Sequence, residues 1–322
     1  TQCMVPSNAT LLPNKVGTAM GLWMESGSAI FVAMPGVPDE MNYILRNELI
    51  PRLRQRNNGL HFLSHTLCTA AHGETEIAGR IEPLLQDLPD FISIAYLPAI
   101  SQVRIRLSGV HGDESILRSL LYGFIERIRA ELKDMIFGEG DTSLSQEIGK
   151  ILKARDMTVG TVESCTGGAL AAKFTAHAGS SDYFRAGLVT YATESKTSLL
   201  GIDREVIARH GVVSAEVAEA MVRHGAGVLG ADWVIATTGI AGPSGGTEEM
   251  PVGAVFIAVG NASHQVSRRL RLGSNRERNI EASCVLALDM LRAEISRRLL
   301  CRVHFSQILF SSLLMNQHKV LT

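Results

Sequence analysis

The second half of the chain alternates strand-like and helix-like segments, and this order constrains the fold more than any other feature. From about residue 141, the segments MTVGTVES, FRAGLVTYA, DWVIATTG and GAVFIAVG are typical of buried strands. Between and around them, SLSQEIGKILKAR, TGGALAAKFTAHAG, SAEVAEAMVRHGAGVLG and ERNIEASCVLALDMLRAEISRRLL have the periodicity of helices. The pattern predicts an α/β domain over residues 141–300, in which helices cover a sheet and ligands bind at the carboxyl ends of strands.

The remaining residues carry weaker patterns. Residues 1–57 contain the strand AIFVAM, a PGVP turn and a helix that begins at Asp39, which predicts an incomplete α/β segment because one such unit cannot form a core. Residues 58–140 contain the alternating segments HFLSHTLCTA and QVRIRLSG and two helical segments, which predict a small α+β domain with helices on one face of an antiparallel sheet. Residues 301–322 follow an expected helix end and are interpreted as a tail.

Composition narrows the class of protein. The 322 residues allow two or three domains, and 31 Lys and Arg against 32 Asp and Glu disfavour binding to a polyanion, so we expect no direct nucleic-acid binding. Five cysteines without a CxxC pair predict no metal site and favour the cytoplasm. No long apolar run predicts a membrane span. The chain begins at Thr1 rather than Met, so we expect its first domain to be a fragment.

The loop ESCTGG, which follows the first strand of the α/β domain, holds a candidate nucleophile. Ser164 would project from a strand-to-helix turn, near free backbone N–H groups that favour a developing anion. In the simpler alternative, Ser164 or Thr166 only caps the helix while the glycines pack on the sheet. Cys165 is a rival nucleophile, ranked below Ser164 because unpaired cysteines are usually small buried residues.

The second loop, TYATESK, offers a candidate base. Lys196 lies just beyond a strand end, at the edge where Ser164 is expected, and it could accept a proton if burial or a nearby cation lowered its pKa. Tyr191 could relay a proton or orient Lys196. The alternatives are a solvated lysine at a helix start and a tyrosine packed at the sheet edge.

The third loop, TTGIAGPSGG, is rich in glycine. Such a backbone can bring its amides close to an anion, although the loop matches neither GxGxxG nor GxxxxGK and could be a structural turn. Beside two other loops at strand ends, it is interpreted as one wall of a pocket. Arg276 and Arg278, at the start of the last helix, could meet a phosphate or only water.

These motifs together resemble a known family. ESCTGG, VTYATESK, GVVSAEVAEAM and TTGIAGPSGG with the downstream PVGAVFIA, over about residues 143–298, resemble the carboxyl-terminal domain of the CinA family, the competence/damage-inducible proteins. That domain is similar to nicotinamide mononucleotide deamidase. MPGVPDEM looks like the end of the family's molybdopterin-binding-like domain, and residues 58–140 resemble its KH-like domain.

The resemblance implies hydrolysis of nicotinamide mononucleotide to nicotinate mononucleotide and ammonia by a serine–lysine mechanism without metal or cofactor. Ser164 would be the nucleophile, Lys196 its base and Tyr191 a helper. The ADP-ribose pyrophosphatase activity of full-length relatives is expected to be absent. The alternative is a nucleotide-binding accessory protein of competence or DNA-damage response without significant turnover, and in either case we expect a homo-oligomer. The implied substrate-binding residues are Thr166, Gly167, Gly168, Thr238, Gly239, Gly242, Gly245, Gly246 and Arg276.

Overall fold

The computed structural model describes residues 4–56 and 59–318, which divide into two compact units. The first unit comprises Thr1–Phe62 with Val110–Ile116, and the second comprises Leu63–Gly109 with Leu117–Thr322. The second unit contains most of the predicted α+β segment and all of the predicted α/β domain.

The first unit has an antiparallel three-stranded sheet with a helical segment beside it. The predicted strand and helix are both present, and two further short strands precede them. A small core of Leu12, Trp23, Ile44 and Leu49 joins sheet and helix. The elements are β1 (Thr10–Leu12), β2 (Gly21–Ser26), β3 (Ala29–Ala33), α1 (Pro38–Ile44), a π-helical turn (Leu45–Leu49) and α2 (Ile50–Gln55).

The α+β segment has a four-stranded sheet in the order β5-β6-β4-β7. Alternate residues of β6, Val103, Ile105 and Leu107, are buried against the helices, and this packing confirms the predicted α+β character. Strands β5 and β7 were not predicted from the sequence. The elements are β4 (His61–Ala70), α3 (Glu74–Ile81), β5 (Ile92–Ala99), β6 (Gln102–His111), α4 (Glu114–Leu132) and β7 (Ile136–Glu139).

The α/β domain is built on a five-stranded sheet in the order β12-β11-β10-β8-β9. Strands β10, β8 and β9 run parallel, whereas β11 and β12 are antiparallel to their neighbours. The strands are β8 (Val159–Glu163), β9 (Phe184–Val189), β10 (Trp233–Gly239), β11 (Ala254–Gly260) and β12 (Gln265–Arg271). The helices are α5 (Leu144–Lys153), α6 (Ala169–Thr175), α7 (Thr193–Leu200), α8 (Arg204–His210), α9 (Ala215–Leu229) and α10 (Arg276–His318).

Helices cover both faces of this sheet, as the sequence predicts. Trp233 and Ile235 of β10 pack into the core formed with α5, α6 and α10, whereas Val234 and Ala236 pack into the core formed with α9. Because side chains of a strand alternate between faces, a strand buried on both sides is apolar at nearly every position. This explains the uninterrupted apolar runs of β10 and β11.

The last helix is longer than the sequence pattern predicts. The sequence pattern predicts a helix end near residue 300, but α10 continues to His318. Residues 276–318 contain neither glycine nor proline, so nothing in that sequence interrupts a helix. Among the described residues, no helix is long and apolar enough to cross a membrane.

Candidate active site

Three loops meet at one edge of the α/β sheet. They follow β10, β8 and β9, which are adjacent and parallel, so their carboxyl ends lie side by side. Glu163, the last residue of β8, is paired with Thr237 on one side and with Val189 on the other. This register brings Ser164, Thr190 and Thr238 to the same edge.

Ser164 and Lys196 form a hydrogen-bonded pair at this edge. Lys196 lies in the first part of α7 rather than in a loop, and its side chain is fully buried. The Lys196 Nζ atom is 3.2 Å from Ser164 Oγ and 2.7 Å from the carbonyl oxygen of Thr190, to which it donates a hydrogen bond. The carbonyl therefore fixes the amine in reach of the hydroxyl.

Burial changes the acid–base behaviour of this lysine. Removal from water disfavours the charged ammonium and lowers the pKa of Lys196 below its ordinary value of 10.5, while the Cys165 thiol and Glu194 partly oppose that effect. A lowered pKa increases the fraction of neutral amine near neutral pH. A neutral amine that holds one proton on the Thr190 carbonyl still has its lone pair for the proton of Ser164.

Cys165 is less suited to nucleophilic attack than Ser164. Its side chain is buried, and this burial raises the pKa of the thiol to about 11. The reactive form of cysteine is the thiolate, which is scarce at neutral pH when the pKa is that high. The geometry therefore favours Ser164, which has Lys196 beside it.

The amino-terminal end of α6 is already occupied by a protein carboxylate, contrary to the expectation of free N–H groups there. Glu163 is fully buried and lies directly before Ser164 in the chain. Its carboxylate accepts hydrogen bonds from the backbone amides of Gly168, Leu170 and Ala171 and from the hydroxyl of Thr166. These amides cannot also bind a substrate oxyanion.

A cavity of about 290 Å³ opens beside the Ser164–Lys196 pair. Eight predicted site residues line it, whereas Thr166, Gly167, Gly168 and Gly246 do not. The predicted residues in the lining are Ser164, Tyr191, Lys196, Thr238, Gly239, Gly242, Gly245 and Arg276. Residues that the sequence did not single out for substrate are Cys165, Thr193, Val212, Val213, Ile240, Ala241 and Ser244.

Tyr191 and Arg276 join the second and third loops at the rim of this cavity. Arg276 donates from Nη2 to the Tyr191 hydroxyl at 3.0 Å and from Nη1 to the Gly242 carbonyl at 2.9 Å. Tyr191 is exposed and contacts Arg276 rather than Lys196 through its hydroxyl. Arg278 is exposed and does not line the cavity.

The third loop is held by polar side chains behind it. The Thr238 hydroxyl donates to the Val212 carbonyl at 2.7 Å, so it fixes a neighbouring wall. The buried amide of Asn279 donates to the carbonyl oxygens of Ala241 and Gly273 at 3.0 and 2.8 Å. Among the described residues, the backbone amides of Gly242, Ser244 and Gly245 donate to no protein acceptor, which leaves them free for a ligand. In the part of the chain that the structure describes, no three His, Cys, Asp or Glu side chains form a group that could hold a metal ion.

Comparison with known proteins identifies the family. A CinA-like protein from Flavobacterium psychrophilum is 39% identical over 295 residues, which are 91% of this chain and 71% of that protein. The chain belongs to the CinA family. A second CinA-like protein, from Geobacter sulfurreducens, is 36% identical over 295 residues, again 91% of this chain and 71% of that protein.

The CinA match covers the α+β segment and the α/β domain. Residues 141–295 match the CinA C-terminal domain, and residues 64–138 match the KH domain of damage-inducible protein CinA. The crystal structure of competence/damage inducible protein CihA from Agrobacterium tumefaciens is 36% identical. It covers 47% of this chain and 92% of its own, with a TM-score of 0.46.

The third loop of this CinA-family chain gives a stability prediction. Gly242 has φ +91°, and a Cβ there would lie 2.5 Å from Val252 Cγ1, whereas Gly245 has the same φ and only Ile240 Cγ2 at 3.9 Å. Both alanine variants strain the backbone, but only Gly242→Ala also clashes. We expect Gly242→Ala to lower the unfolding free energy by about 2–3 kcal/mol and Gly245→Ala by about 1 kcal/mol, measured by urea unfolding. Equal losses would contradict the clash.

Proposed function

We propose that this CinA-family protein hydrolyses the carboxamide of nicotinamide mononucleotide, releasing ammonia and nicotinate mononucleotide. The observation that carries the proposal is the hydrogen bond between the fully buried Lys196 and Ser164, at the wall of a cavity. A buried lysine is costly, because burial opposes its charge. Burial favours the neutral amine, and a general base must be neutral to accept a proton, so a catalytic role explains why this lysine is buried.

In the first half-reaction, Ser164 attacks the carboxamide carbon. As the C–O bond forms, the neutral Lys196 amine takes the hydroxyl proton, and the carbonyl oxygen becomes an oxyanion. Glu163 occupies three amides of α6, and we assign free amides of the third loop as donors to this oxyanion. The C–N bond then breaks, the protonated Lys196 returns its proton to the leaving nitrogen, and ammonia departs.

In the second half-reaction, water hydrolyses the Ser164 ester. Lys196 is neutral again after ammonia leaves, so it can take a proton from the attacking water. Collapse of the second tetrahedral intermediate breaks the bond to Ser164 Oγ, and Lys196 returns the proton to that oxygen. One water is consumed and one carboxylate forms for each ammonia released.

We propose that the substrate phosphate lies near Arg276 at the rim, while the pyridinium ring enters toward Ser164. Arg276 is half-buried and positively charged, and arginine guanidinium groups suit phosphate oxygens. The cavity of about 290 Å³ lies near the lower end of the range of ligand pockets, about 300–1,000 Å³. A single mononucleotide is therefore a better match than a dinucleotide.

Replacing Arg276 tests this orientation. We expect Arg276→Gln to raise KM for nicotinamide mononucleotide by about 10–100-fold, because a charge-assisted contact to phosphate is lost. Nicotinamide riboside has no phosphate, so its kcat/KM is expected to change much less. Arg278→Gln, two residues away and exposed outside the cavity, is the matched control. Equal losses of kcat/KM for the nucleotide and the riboside would contradict a contact between Arg276 and the phosphate.

A substrate panel tests the proposed function itself. Purified protein is incubated with nicotinamide mononucleotide, nicotinamide riboside and nicotinamide, and ammonia and the acid product are measured together. We expect turnover of the mononucleotide to exceed that of the other two. Binding of the mononucleotide without ammonia release would instead support the accessory, nucleotide-binding role.

A further inference from the structure

We infer that Glu163 is a positioning residue that holds Ser164 in register with Lys196, an inference that rests on the proposed reaction. Glu163 does not line the cavity, so it is not placed to touch substrate. Its carboxylate is nevertheless fully buried and accepts four hydrogen bonds, all from the segment that follows Ser164. The chain thus folds tightly around a charged group directly beside the nucleophile.

The carboxylate fixes the turn because both of its oxygens are used. One oxygen, Oε2, accepts from the Thr166 hydroxyl at 2.7 Å and from the amides of Gly168 and Leu170 at 3.0 Å. The other, Oε1, accepts from the amide of Ala171 at 2.8 Å. Ser164 lies between Glu163 and the residues that Glu163 holds, so its backbone is constrained from both sides.

Glu163 also connects the three strand ends that form the site. Its backbone carbonyl accepts from the Thr190 amide at 2.8 Å, and the Thr190 carbonyl in turn accepts from Lys196 Nζ at 2.7 Å. Toward β10, the Thr166 hydroxyl gives its proton to Glu163, so the Thr237 hydroxyl, 2.7 Å away, must donate to Thr166. The nucleophile and its base are therefore positioned through the same residue.

Glutamine at position 163 would have a side chain of nearly the same size as glutamate but only one acceptor oxygen instead of two. Its amide group has one oxygen and one N–H₂ donor, and a donor cannot accept from the amides or the hydroxyl that now face the carboxylate. The turn would have to shift to separate these groups. Displacement of a reacting atom by about 1 Å can cost about 10²-fold in rate.

The inference predicts a specific kinetic pattern. We expect Glu163→Gln to lower kcat for nicotinamide mononucleotide by about 10²-fold and to change KM less than threefold, since Glu163 does not line the cavity. Thr166→Val, which removes one donor to the carboxylate, is expected to lower kcat by about tenfold, and Thr166→Ser to restore most of it. Thr175→Val, at the exposed far end of α6, is the matched control for helix stability. A rise in KM with unchanged kcat would overturn the inference.

A substrate-independent measurement separates this inference from the proposed function. An alkyl fluorophosphonate reacts with an activated serine by forming an O–P bond and expelling fluoride, and intact mass gives the labelling rate. We expect Ser164-dependent labelling to slow at least tenfold in Glu163→Gln and Thr166→Val but not in Thr175→Val. Slow labelling of these variants without any deamidation by the unsubstituted protein would reject the substrate and retain the positioning role. The inference would be overturned if both variants kept the labelling rate and the kcat of the unsubstituted protein. It would also be overturned if the unsubstituted protein showed neither Ser164-dependent labelling nor Ser164-dependent turnover.

Discussion

Replacing Ser164 by alanine is expected to abolish the hydrolysis of nicotinamide mononucleotide, with a loss of at least about 10³-fold in kcat. The substitution removes the attacking oxygen, and no neighbouring group replaces it: Cys165 is buried and its thiol has a pKa of about 11. Ammonia release measured with excess enzyme gives the residual rate. Retention of more than about a tenth of the activity would transfer the nucleophile's role to Cys165 or to water.

The loss should occur in a folded protein. Ser164 Oγ has a hydrogen bond to Lys196, but Lys196 keeps its second partner, the Thr190 carbonyl, in the variant. Alanine also creates little empty volume. Far-UV circular dichroism and the urea midpoint are therefore expected to stay close to those of the unsubstituted protein. Cys165→Ser is the matched control, since it changes the neighbouring side chain and leaves the Ser164–Lys196 pair intact.

Replacing Lys196 is expected to have the next largest effect, of about 10²–10⁴-fold in kcat/KM, the range of general acid–base catalysis. Lys196→Met removes the base but keeps an unbranched side chain in the buried position. Lys196→Arg keeps a positive charge but holds a group that does not deprotonate in proteins. Both variants should be nearly inactive. A substantially active arginine variant would mean that Lys196 acts only through its charge and that another group takes the proton of Ser164.

The pH dependence of activity follows from the direction of the pKa shift. Burial lowers the pKa of Lys196, and the neutral form is the base, so kcat/KM should rise with pH through that lowered pKa. It should level off below the ordinary lysine value of 10.5. A rate that rises only around 10.5, or that falls with increasing pH over this window, would contradict a neutral Lys196.

The same shift predicts how stability changes with pH. Between the lowered pKa and 10.5, the unfolded chain binds a proton at Lys196 that the folded chain does not. The unfolding free energy therefore increases with pH in this window, and below the lowered pKa the dependence vanishes. Urea unfolding is measured for the unsubstituted protein and for Lys196→Met at several pH values in this window. The difference between the two proteins gives the contribution of Lys196, because the variant lacks its amine.

The order of elements in the α/β domain could be predicted because its strands and longer helices have clear patterns. Strands β8 to β11 and helices α5, α6 and α9 coincide with the predicted segments, and the three loops meet at one edge as expected. Strand β12, QVSRRLR, was missed because it is an edge strand with arginines on both faces. The sequence does not predict helices α7 and α8 because their short segments, TESKTSLL and REVIARH, contain few apolar residues and therefore show no helical period.

The candidate site could be predicted in part. Ser164 and Lys196 were recognised as neighbours, but the burial of Lys196 depends on the packing of α7 against α9, which a lysine in a polar segment does not indicate. Thr166 was assigned to substrate, whereas its hydroxyl donates to Glu163. The sequence does not reveal the contacts of Glu163, because a capping side chain is expected at the residue before the helix. That residue is Gly168, which has no side chain, and the cap is instead the carboxylate of Glu163, five positions earlier in the chain.

Ammonia release from nicotinamide mononucleotide in the presence of hydroxylamine tests the central claim most directly. If Ser164 forms an ester, hydroxylamine should compete with water for it, and the hydroxamate of nicotinate mononucleotide should appear beside the acid. The two products together should equal the ammonia released, and Ser164→Ala should form neither. Ammonia released with the acid as the sole product at every hydroxylamine concentration would contradict the Ser164 ester, and absence of ammonia altogether would contradict the proposed reaction.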